Sequence, residues 1–424
     1  MAGRLSGRQL APLRGSGFRL LFFATLGSSL GTLLAAIALA IDVKDRTDSG
    51  LWVGAVLLAE FLPAIVVGLT LGPLLDRLER RRLMVGADLV RVVVFCLLPF
   101  ATSAGAIVAL AAVAGVANGF FRPAVYAGVP NLVPEEELPE ANALLQTVEN
   151  LSWMVGPLIG GVLTAAAGPH AAYWINAASF LVSAVLVARI PAKKLQSETA
   201  LSRGHWRDLR EGFSVVAHSR ALIAVLVAWG LVSIGLGGAN VAEIFLAKNV
   251  FSSGDFGYGL LYGAIGAGLV LGSFLSSFVV ERFGIARTYG VSLALMAAGL
   301  AAAALSPNVW IAAAFCVFHG IGDGAAIVCN ALLVQRGAPD RVRGRALTLV
   351  MSATYLLTAI TTVVAGAALH IGGARWMWIG ASICYALAAI AGYALARGVS
   401  EPAAAPPPPR IEPGAPLEVS TLQR

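Results

Sequence analysis

Long apolar stretches separated by short polar segments recur along almost the whole chain. Within each stretch the hydrophobic residues are nearly continuous, which is typical of buried or membrane-spanning helices and not of half-exposed strands. A helix that crosses a bilayer needs roughly 20 apolar residues. The pattern predicts twelve spans, numbered here in chain order, at 20–41, 51–75, 83–102, 105–130, 141–167, 171–190, 221–248, 257–280, 288–305, 308–335, 345–371 and 375–397.

The two halves of the chain carry similar residues at a constant interval of 205 positions. Four pairs keep this interval: Gly54 and Gly259, Asp76 and Glu281, Asn118 and Asp323, and Pro134 and Pro339. A shared interval along half the chain indicates duplication of a six-helix unit. Two such halves in a membrane are typical of secondary transporters, whose substrate site lies between the halves.

The predicted fold class is therefore an all-α membrane protein, with twelve transmembrane helices in two pseudo-symmetric six-helix bundles. The predicted organisation is a cytoplasmic N-terminus at 1–17, bundles at 18–190 and 221–397, a cytoplasmic linker at 191–220 and a disordered Pro-rich tail at 398–424.

Composition supports a membrane protein. Hydrophobic residues make up 58% of the chain and charged residues 12%, and the mean hydropathy is +0.80. A soluble domain carries about 25% charged residues. The four Cys residues all fall within predicted spans and lack the spacing of metal ligands. We therefore expect no metal and no cofactor.

The distribution of Lys and Arg predicts the orientation. If the N-terminus lies inside, the outer loops hold only four basic residues, namely Lys44, Arg46, Lys248 and Arg375, while the inner loops hold most of the others. Inner loops of membrane proteins are enriched in Lys and Arg. We therefore place both termini in the cytoplasm of a cell (inner) membrane protein. The same rule accounts for the net charge of +7, so nucleic-acid binding is unnecessary.

Ionisable residues inside the spans are the main candidates for function, because each costs roughly 2.5–3.5 kcal/mol at a helix centre. We predict Glu60, Glu149 and Asp323 as candidates for proton coupling. Glu60 lies about nine residues into span 2, or ~14 Å, and so near mid-membrane. Arg122, Asn118, Asn240 and His319 are candidates for a substrate cavity, although a packed, hydrogen-bonded His319 remains an equal alternative.

Other charged residues in the spans are assigned structural roles. Asp88 and Arg91 are three residues apart and can pair with each other. Asp42, Glu243 and Lys248 fall near the outer ends, where we expect them to reach water.

Several motifs resemble those of the major facilitator superfamily. The loop that begins at Gly72 and includes Asp76, Arg77 and Arg80 resembles the signature between its helices 2 and 3, with Glu79 where Gly is usual. Further motifs resemble the enterobactin-exporter and macrolide-efflux (transmembrane secretion effector) branch: Asn118-Gly-Phe-Phe-Arg122-Pro-Ala, Leu132-Val-Pro134, Ala141-Asn-Ala-Leu144, Gly156-Pro-Leu-Ile-Gly160-Gly161 and Pro339-Asp-Arg-Val-Arg-Gly344-Arg345.

The resemblance implies roles for two groups of residues. The conformational latch that holds the inner side shut would comprise Gly72, Asp76, Arg77, Arg80, Glu281, Arg282 and Arg345. The antiporter-like motif of span 5 would comprise Gly156, Pro157, Gly160 and Gly161. Plain helix packing is the alternative for the second group, and Thr147 replaces a Gly that the full motif contains.

The resemblance also implies a central cavity lined by spans 1, 4, 7 and 10. It would place Arg122, Asn240 and Asp323 in that cavity, where Arg122 and Asp323 could form a charge pair between the halves. Glu60 is the rival proton carrier, because no cationic partner for it is evident.

The function predicted from these features is proton-coupled efflux of a small amphipathic molecule, such as a drug, secondary metabolite or siderophore, by alternating access. The expected partners are the lipid bilayer, the small-molecule substrate and protons, and we expect a monomer. A lysophospholipid flippase and a solute importer of the same fold remain alternatives. A membrane sensor or enzyme finds little support, because the sequence offers no nucleotide loop, metal cluster or signalling domain. We therefore predict that the protein is not an enzyme.

Overall fold

The chain folds as a set of long α-helices. The computed structural model describes residues 10–75, 78–195, 219–337, 340–397 and 399, and it leaves the side chains of 68–75 and 340–348 undescribed. The α-helices in these residues are α1 Ser16–Thr47, α2 Gly50–Leu75, α3 Arg80–Leu97, α4 Ala104–Gly128, α5 Leu138–Ala167, α6 Pro169–Ala188, α7 Arg220–Phe245, α8 Gly254–Phe283, α9 Ile285–Leu305, α10 Val309–Gly337 and α11 Asp340–Ala396. A π-helical turn at Leu246–Val250 continues α7.

All eleven of these helices are long and apolar enough to cross a membrane. The last helix, α11, has 57 residues and is interrupted at Gly373, where φ is 73° and ψ is 161°. Gly168 and Gly284 adopt nearly the same angles at the junctions of α5 with α6 and of α8 with α9. Positive φ at these tight junctions favours glycine, which has no Cβ. Gly373 also lies 205 residues after Gly168, which is the interval of the predicted duplication.

The same interval appears in the contacts between helices. A Cβ atom on Gly115 of α4 would lie 2.4 Å from the carbonyl oxygen of Ala59 and 3.0 Å from that of Glu60, both in α2. A Cβ atom on Gly320 of α10 would lie 2.1 Å from the carbonyl oxygen of Ile265 in α8. Glycine thus allows α4 to approach α2, and α10 to approach α8, at positions 205 residues apart.

Close backbone contacts between the first part of the chain (α1–α6) and the second part (α7–α11) lie in the half of the helices nearer one end. We call the end where α1 begins the near end and the end where α1 stops the far end. Toward the far end, a Cβ atom on Gly50 of α2 would lie 2.8 Å from the carbonyl oxygen of Gly366 in α11. A Cβ atom on Gly161 of α5 would lie 2.8 Å from the Cα of Gly259 in α8. Small residues therefore let the helices of the two parts touch backbone to backbone here.

The glycines of α8 contact two neighbouring helices. Gly259 and Gly263 face α5, whereas Gly268 and Gly272 face α10. The reason is a five-residue step between Gly263 and Gly268, which turns the second pair by about 140° around the helix.

The structure tests two expectations about charged residues, one about an ion pair and one about exposure to water. The pair of Asp88 and Arg91 is confirmed, with a distance of 2.5 Å between Oδ1 and Nη2 in the buried interior. The expectation of contact with water is wrong for Asp42 and Glu243, which are buried, whereas the side chain of Lys248 remains 15% exposed. Asp42 is 6% exposed and accepts hydrogen bonds from Arg46 and Tyr173. These outer ends are covered because α1, α7 and α8 meet there.

Candidate functional site

A cavity of about 670 Å³ lies between the helices of the two parts. α1, α2, α4 and α5 line it from the first part, with Arg91 of α3, and α7, α8 and α11 line it from the second. Spans 1, 4 and 7 therefore line the cavity as expected. The expectation for span 10 is wrong, because none of the described residues of α10 is among the lining ones. Its glycine face packs tightly on α8 instead.

The charged centre of the cavity is a pair of residues from α4 and α5. Arg122 Nη2 lies 2.7 Å from Glu149 Oε2, and the Tyr126 hydroxyl donates to Glu149 Oε1 at 2.8 Å. The Arg122 side chain is 60% exposed, so its remaining donors face the cavity. The predicted pair of Arg122 with Asp323 is therefore wrong. Asp323 lies on α10, outside the cavity lining, while the facing helix α5 supplies a carboxylate to Arg122.

Glu60 projects from α2 into the same cavity. No ion pair or side-chain hydrogen bond joins it to another residue in the described part of the chain. Asn118 and Gly119 of α4 line the cavity as well, and the close approach of α4 to α2 at Gly115 brings these positions together. A carboxyl group without a cationic partner can exchange a proton with the cavity at little structural cost.

The cavity lining contains many polar and aromatic side chains. α1 contributes four hydroxyl groups, from Thr25, Ser28, Ser29 and Thr32. The aromatic lining residues are Phe61, Phe121, Tyr126, Trp153, Trp229, Tyr258, Tyr262 and Tyr355. Rings from the two parts also stack, because Trp153 of α5 and Tyr262 of α8 have centroids 6.1 Å apart and an interplanar angle of 12°. The average hydropathy of a span does not reveal such residues, because they are spread over seven helices and lie on one face of each helix.

Two remaining cavity candidates have different positions. Asn240 of α7 lines the cavity. His319 does not, because it is packed in the second part with 6% exposure. Its Nδ1 is 2.9 Å from the Met296 carbonyl oxygen, and its ring stacks on Tyr385. The packed, hydrogen-bonded alternative therefore describes His319.

The predicted latch is only partly within the described residues. Asp76 and Arg77 lie outside them, and the side-chain surroundings of Gly72 and Arg345 are undescribed. Arg80 donates hydrogen bonds to the carbonyl oxygens of Ala127 and Leu195 at 3.0 and 2.9 Å. Glu281 and Arg282 are exposed near the end of α8.

The antiporter-like motif joins α5 to two other helices. Gly156 and Gly160 face α1, where a Cβ atom on Gly160 would lie 2.5 Å from the Leu34 carbonyl oxygen. Gly161 faces α8, and Pro157 lines the cavity. The motif thus lies where the cavity wall meets the contact between the two parts.

A charged cluster joins the two parts at the far end, and sequence reasoning missed it. Lys248 Nζ lies 2.6 Å from Asp45 of α1 and 2.5 Å from Asp255 of α8. We call these three residues the far-end cluster. Asp45 lies 203 residues from Lys248 in the sequence, and Asp255 lies 7 residues from it. The spacing of these residues therefore did not predict the cluster.

With this geometry established, comparison with known proteins gives the family. The sequence matches the transmembrane secretion effector family over residues 7–417. The chain belongs to that family. The match also agrees with the efflux branch of the major facilitator superfamily suggested by the sequence motifs.

Characterised relatives of the chain are efflux proteins. The chain is 26% identical over 366 residues to the multidrug efflux pump Tap of Mycolicibacterium fortuitum, covering 82% of this chain and 88% of Tap. It is 24% identical over 273 residues to macrolide efflux protein A of Streptococcus pyogenes, covering 57% of this chain and 65% of that protein. The chain is thus a multi-pass membrane transporter whose relatives export drugs.

Solved transporters share the fold. The crystal structure of the nucleoside transporter NupG superposes with a TM-score of 0.70 at 15% identity, covering 90% of this chain and 98% of NupG. A bacterial homologue of the iron transporter ferroportin, in an inward-facing state, gives 0.69 at 14% identity, covering 89% and 98%. At such identities the likeness concerns the fold alone.

Proposed function

We propose that this protein is a proton-coupled exporter of small amphipathic molecules that works by alternating access. The observation that carries the proposal is the cavity between the two parts, which contains one unpaired acid and is closed at the far end. Efflux activity of the relatives Tap and macrolide efflux protein A supports the direction of transport.

The sequence and the break in α11 support the topology that we propose. We propose twelve spans in two six-helix bundles, 18–190 and 221–397, with α11 crossing twice and turning at Gly373. A 57-residue helix would extend ~85 Å at 1.5 Å per residue, far beyond a hydrocarbon core of about 30 Å. Both termini then lie in the cytoplasm, as the basic residues indicate, and the far end faces outside. The predicted monomer remains part of the proposal.

Alternating access is supported by where the two parts touch. Their backbone contacts and the far-end cluster lie toward the outside, and the cavity lies between these contacts and the near end. Transport then requires the outer contacts to separate. The latch at Asp76 is proposed to hold the inner side shut in that second state, so Asp76→Asn should leave the protein inserted but slow transport. Normal transport at normal expression would show that Asp76 has no such role.

Among the candidate proton carriers, Glu60 is the one that best fits the geometry. Glu149 is held by Arg122 and Tyr126, and Asp323 lies away from the cavity. Desolvation favours the neutral form of a carboxyl, and a nearby cation favours the charged form. Glu60 lines the cavity without a cation, so a cargo or a conformational change can alter its protonation. Glu60→Gln and Asp323→Asn, tested side by side for proton-driven efflux, decide between the two.

The cargo we propose has an apolar or aromatic body and a polar or charged group. The eight aromatic lining residues can contact the apolar or aromatic body. The exposed guanidinium of Arg122 and the hydroxyl groups of α1 can contact the polar or charged group. The polar and aromatic lining also keeps a solute importer as a second candidate, because such side chains can bind a polar solute. A lysophospholipid flippase fits the same amphipathic chemistry.

The experiment is to express the protein in a bacterial host that lacks its own major efflux pumps. The proposal predicts raised resistance to at least some amphipathic compounds, and active extrusion of a loaded dye that stops when an uncoupler is added. Faster accumulation of the same compounds would favour import. A panel of compounds and lysolipids that all distribute as in the empty host would contradict the proposal.

A further inference from the structure

A second unpaired carboxyl group, that of Glu243, is buried between the cavity lining and the far end. α7 presents Trp229, Ser233, Leu236 and Asn240 to the cavity, at alternating steps of four and three residues. Glu243 extends this series by three residues. It therefore lies on the same face of α7, about one turn closer to the far end.

Glu243 is almost completely buried and unpaired. It is 3% exposed, and its Oε1 has no hydrogen-bond partner. No ion pair joins it to another residue of the described ranges. The next cation along the chain, Lys248, is bound by Asp45 and Asp255 instead. An isolated carboxylate in such a site would carry a large desolvation penalty, and an apolar side chain would fill the site at less cost.

The residues around Glu243 connect it to Glu60. Tyr258 and Tyr262 of α8 line the cavity, and each is close enough to interact electrostatically with both Glu243 and Glu60. The other titratable groups that interact with Glu243 are Cys316 of α10 and Tyr385 of α11. All four of these neighbours are neutral in ordinary conditions, so none of them supplies a counter-charge. The phenolic groups can both donate and accept a hydrogen bond.

We propose that Glu243 is a second proton-binding site, separated from Glu60 by Tyr258 and Tyr262. In this conformation it holds its proton below the far-end cluster. When Lys248 separates from Asp45, the site faces the outside and exchanges its proton there. This proposal rests on the proposed proton-coupled transport, and it adds a carboxyl group of the second part to that of the first.

The first test examines the site without transport. Infrared difference spectra of the protein in lipid, recorded between neutral and alkaline pH, should show the C=O stretching band of a protonated carboxylic acid. The component of that band that comes from Glu243 should be absent in Glu243→Gln, and the whole band should be kept in Glu136→Gln, a matched change at an exposed residue. Identical bands in the wild type and in Glu243→Gln would overturn the proposal.

Stability provides a second readout. If Glu243 is neutral, Glu243→Gln and Glu243→Met should both fold, with melting temperatures close to that of the wild type. If Glu243 were ionised and held by an unseen cation, both variants should be strongly destabilised, which would also overturn the proposal.

The third test uses efflux driven by an imposed pH gradient in proteoliposomes. The wild type should respond to the gradient, and Glu243→Gln should lose most of that response. If the wild type does not respond, the proposed function fails, while the infrared bands still decide the state of Glu243. If the wild type and Glu243→Gln respond equally, Glu243 has no part in coupling and the inference is wrong.

Discussion

The contact between α5 and α8 should influence the fraction of protein molecules that are closed at the far end. In Gly259→Ala, the new Cβ atom would lie 2.7 Å from the Pro157 carbonyl oxygen and 2.8 Å from the Gly161 Cα. Ordinary contacts begin at 3.4 Å, so the two helices would have to separate by about 0.7 Å. Both atoms are backbone atoms, so no side chain can rotate away to make room.

Overpacking of this kind costs about 1–3 kcal/mol. The substitution destabilises only the conformation that is closed at the far end, because α5 and α8 touch only in that conformation. Since about 1.4 kcal/mol corresponds to a tenfold change, the ratio of open to closed protein should rise by about 5- to 150-fold. The better helix propensity of Ala is present in both states and cancels.

Distances between spin labels measure this ratio. Labels on Thr102→Cys and Pro307→Cys report on the far end, because both residues are exposed, lie in different parts of the chain and lie at that end. The four native Cys residues are replaced first. Gly259→Ala should enlarge the long-distance population. Gly380→Ala, where nothing lies within 4 Å of the new Cβ, should not. Equal distributions in Gly259→Ala and the control would refute the role of the α5–α8 contact.

Three further predictions concern charged residues. Arg122→Ala should hardly change the melting temperature, because its pair with Glu149 is open to the cavity and such pairs contribute at most about 1 kcal/mol. Efflux by the same preparation should nevertheless fall. Unchanged efflux would show that Arg122 does not take part in substrate binding. Asp88→Asn leaves Arg91 buried without its counter-charge, so it should lower the free energy of unfolding by about 3–5 kcal/mol, and a normal melting temperature would show that the pair is not needed. Lys248→Met should increase the access of a membrane-impermeant thiol reagent to a cysteine in the cavity from the outside, whereas unchanged access would show that the far-end cluster does not hold that end closed.

Features that depend on residues close in sequence were predicted well. The spans follow from continuous hydrophobicity, and the pair of Asp88 and Arg91 follows from a three-residue spacing. The interval of 205 residues was also readable in the sequence, and in the structure it relates Gly168 and Gly373 at the helix junctions. Helical geometry determines the spans and the pair of Asp88 and Arg91 locally.

Features that depend on which helix faces which were predicted poorly. The resemblance placed Arg122 and Asp323 in one cavity, but the sequence could not show that α5 supplies the partner of Arg122 and that α10 packs behind α8. The same limit hid Glu243, whose burial arises from α8, α10 and α11. It also hid the far-end cluster, because Asp45 and Lys248 are 203 residues apart. Such contacts are set by the packing of helices, and one sequence does not encode them by spacing.

The central claim is that Glu60 carries the proton in coupled export. Comparing substrate exchange with gradient-driven net export in Glu60→Gln tests this claim most directly. A glutamine at this position mimics a carboxyl that always carries its proton. Proteoliposomes containing a substrate found in the cell assays should therefore still exchange labelled for unlabelled substrate at close to the wild-type rate. Net export driven by a pH gradient should fall to the rate without a gradient. Gradient-driven export at the wild-type rate in Glu60→Gln would contradict the role of Glu60 as the proton carrier, and a wild-type protein that ignores the gradient would contradict proton-coupled export itself.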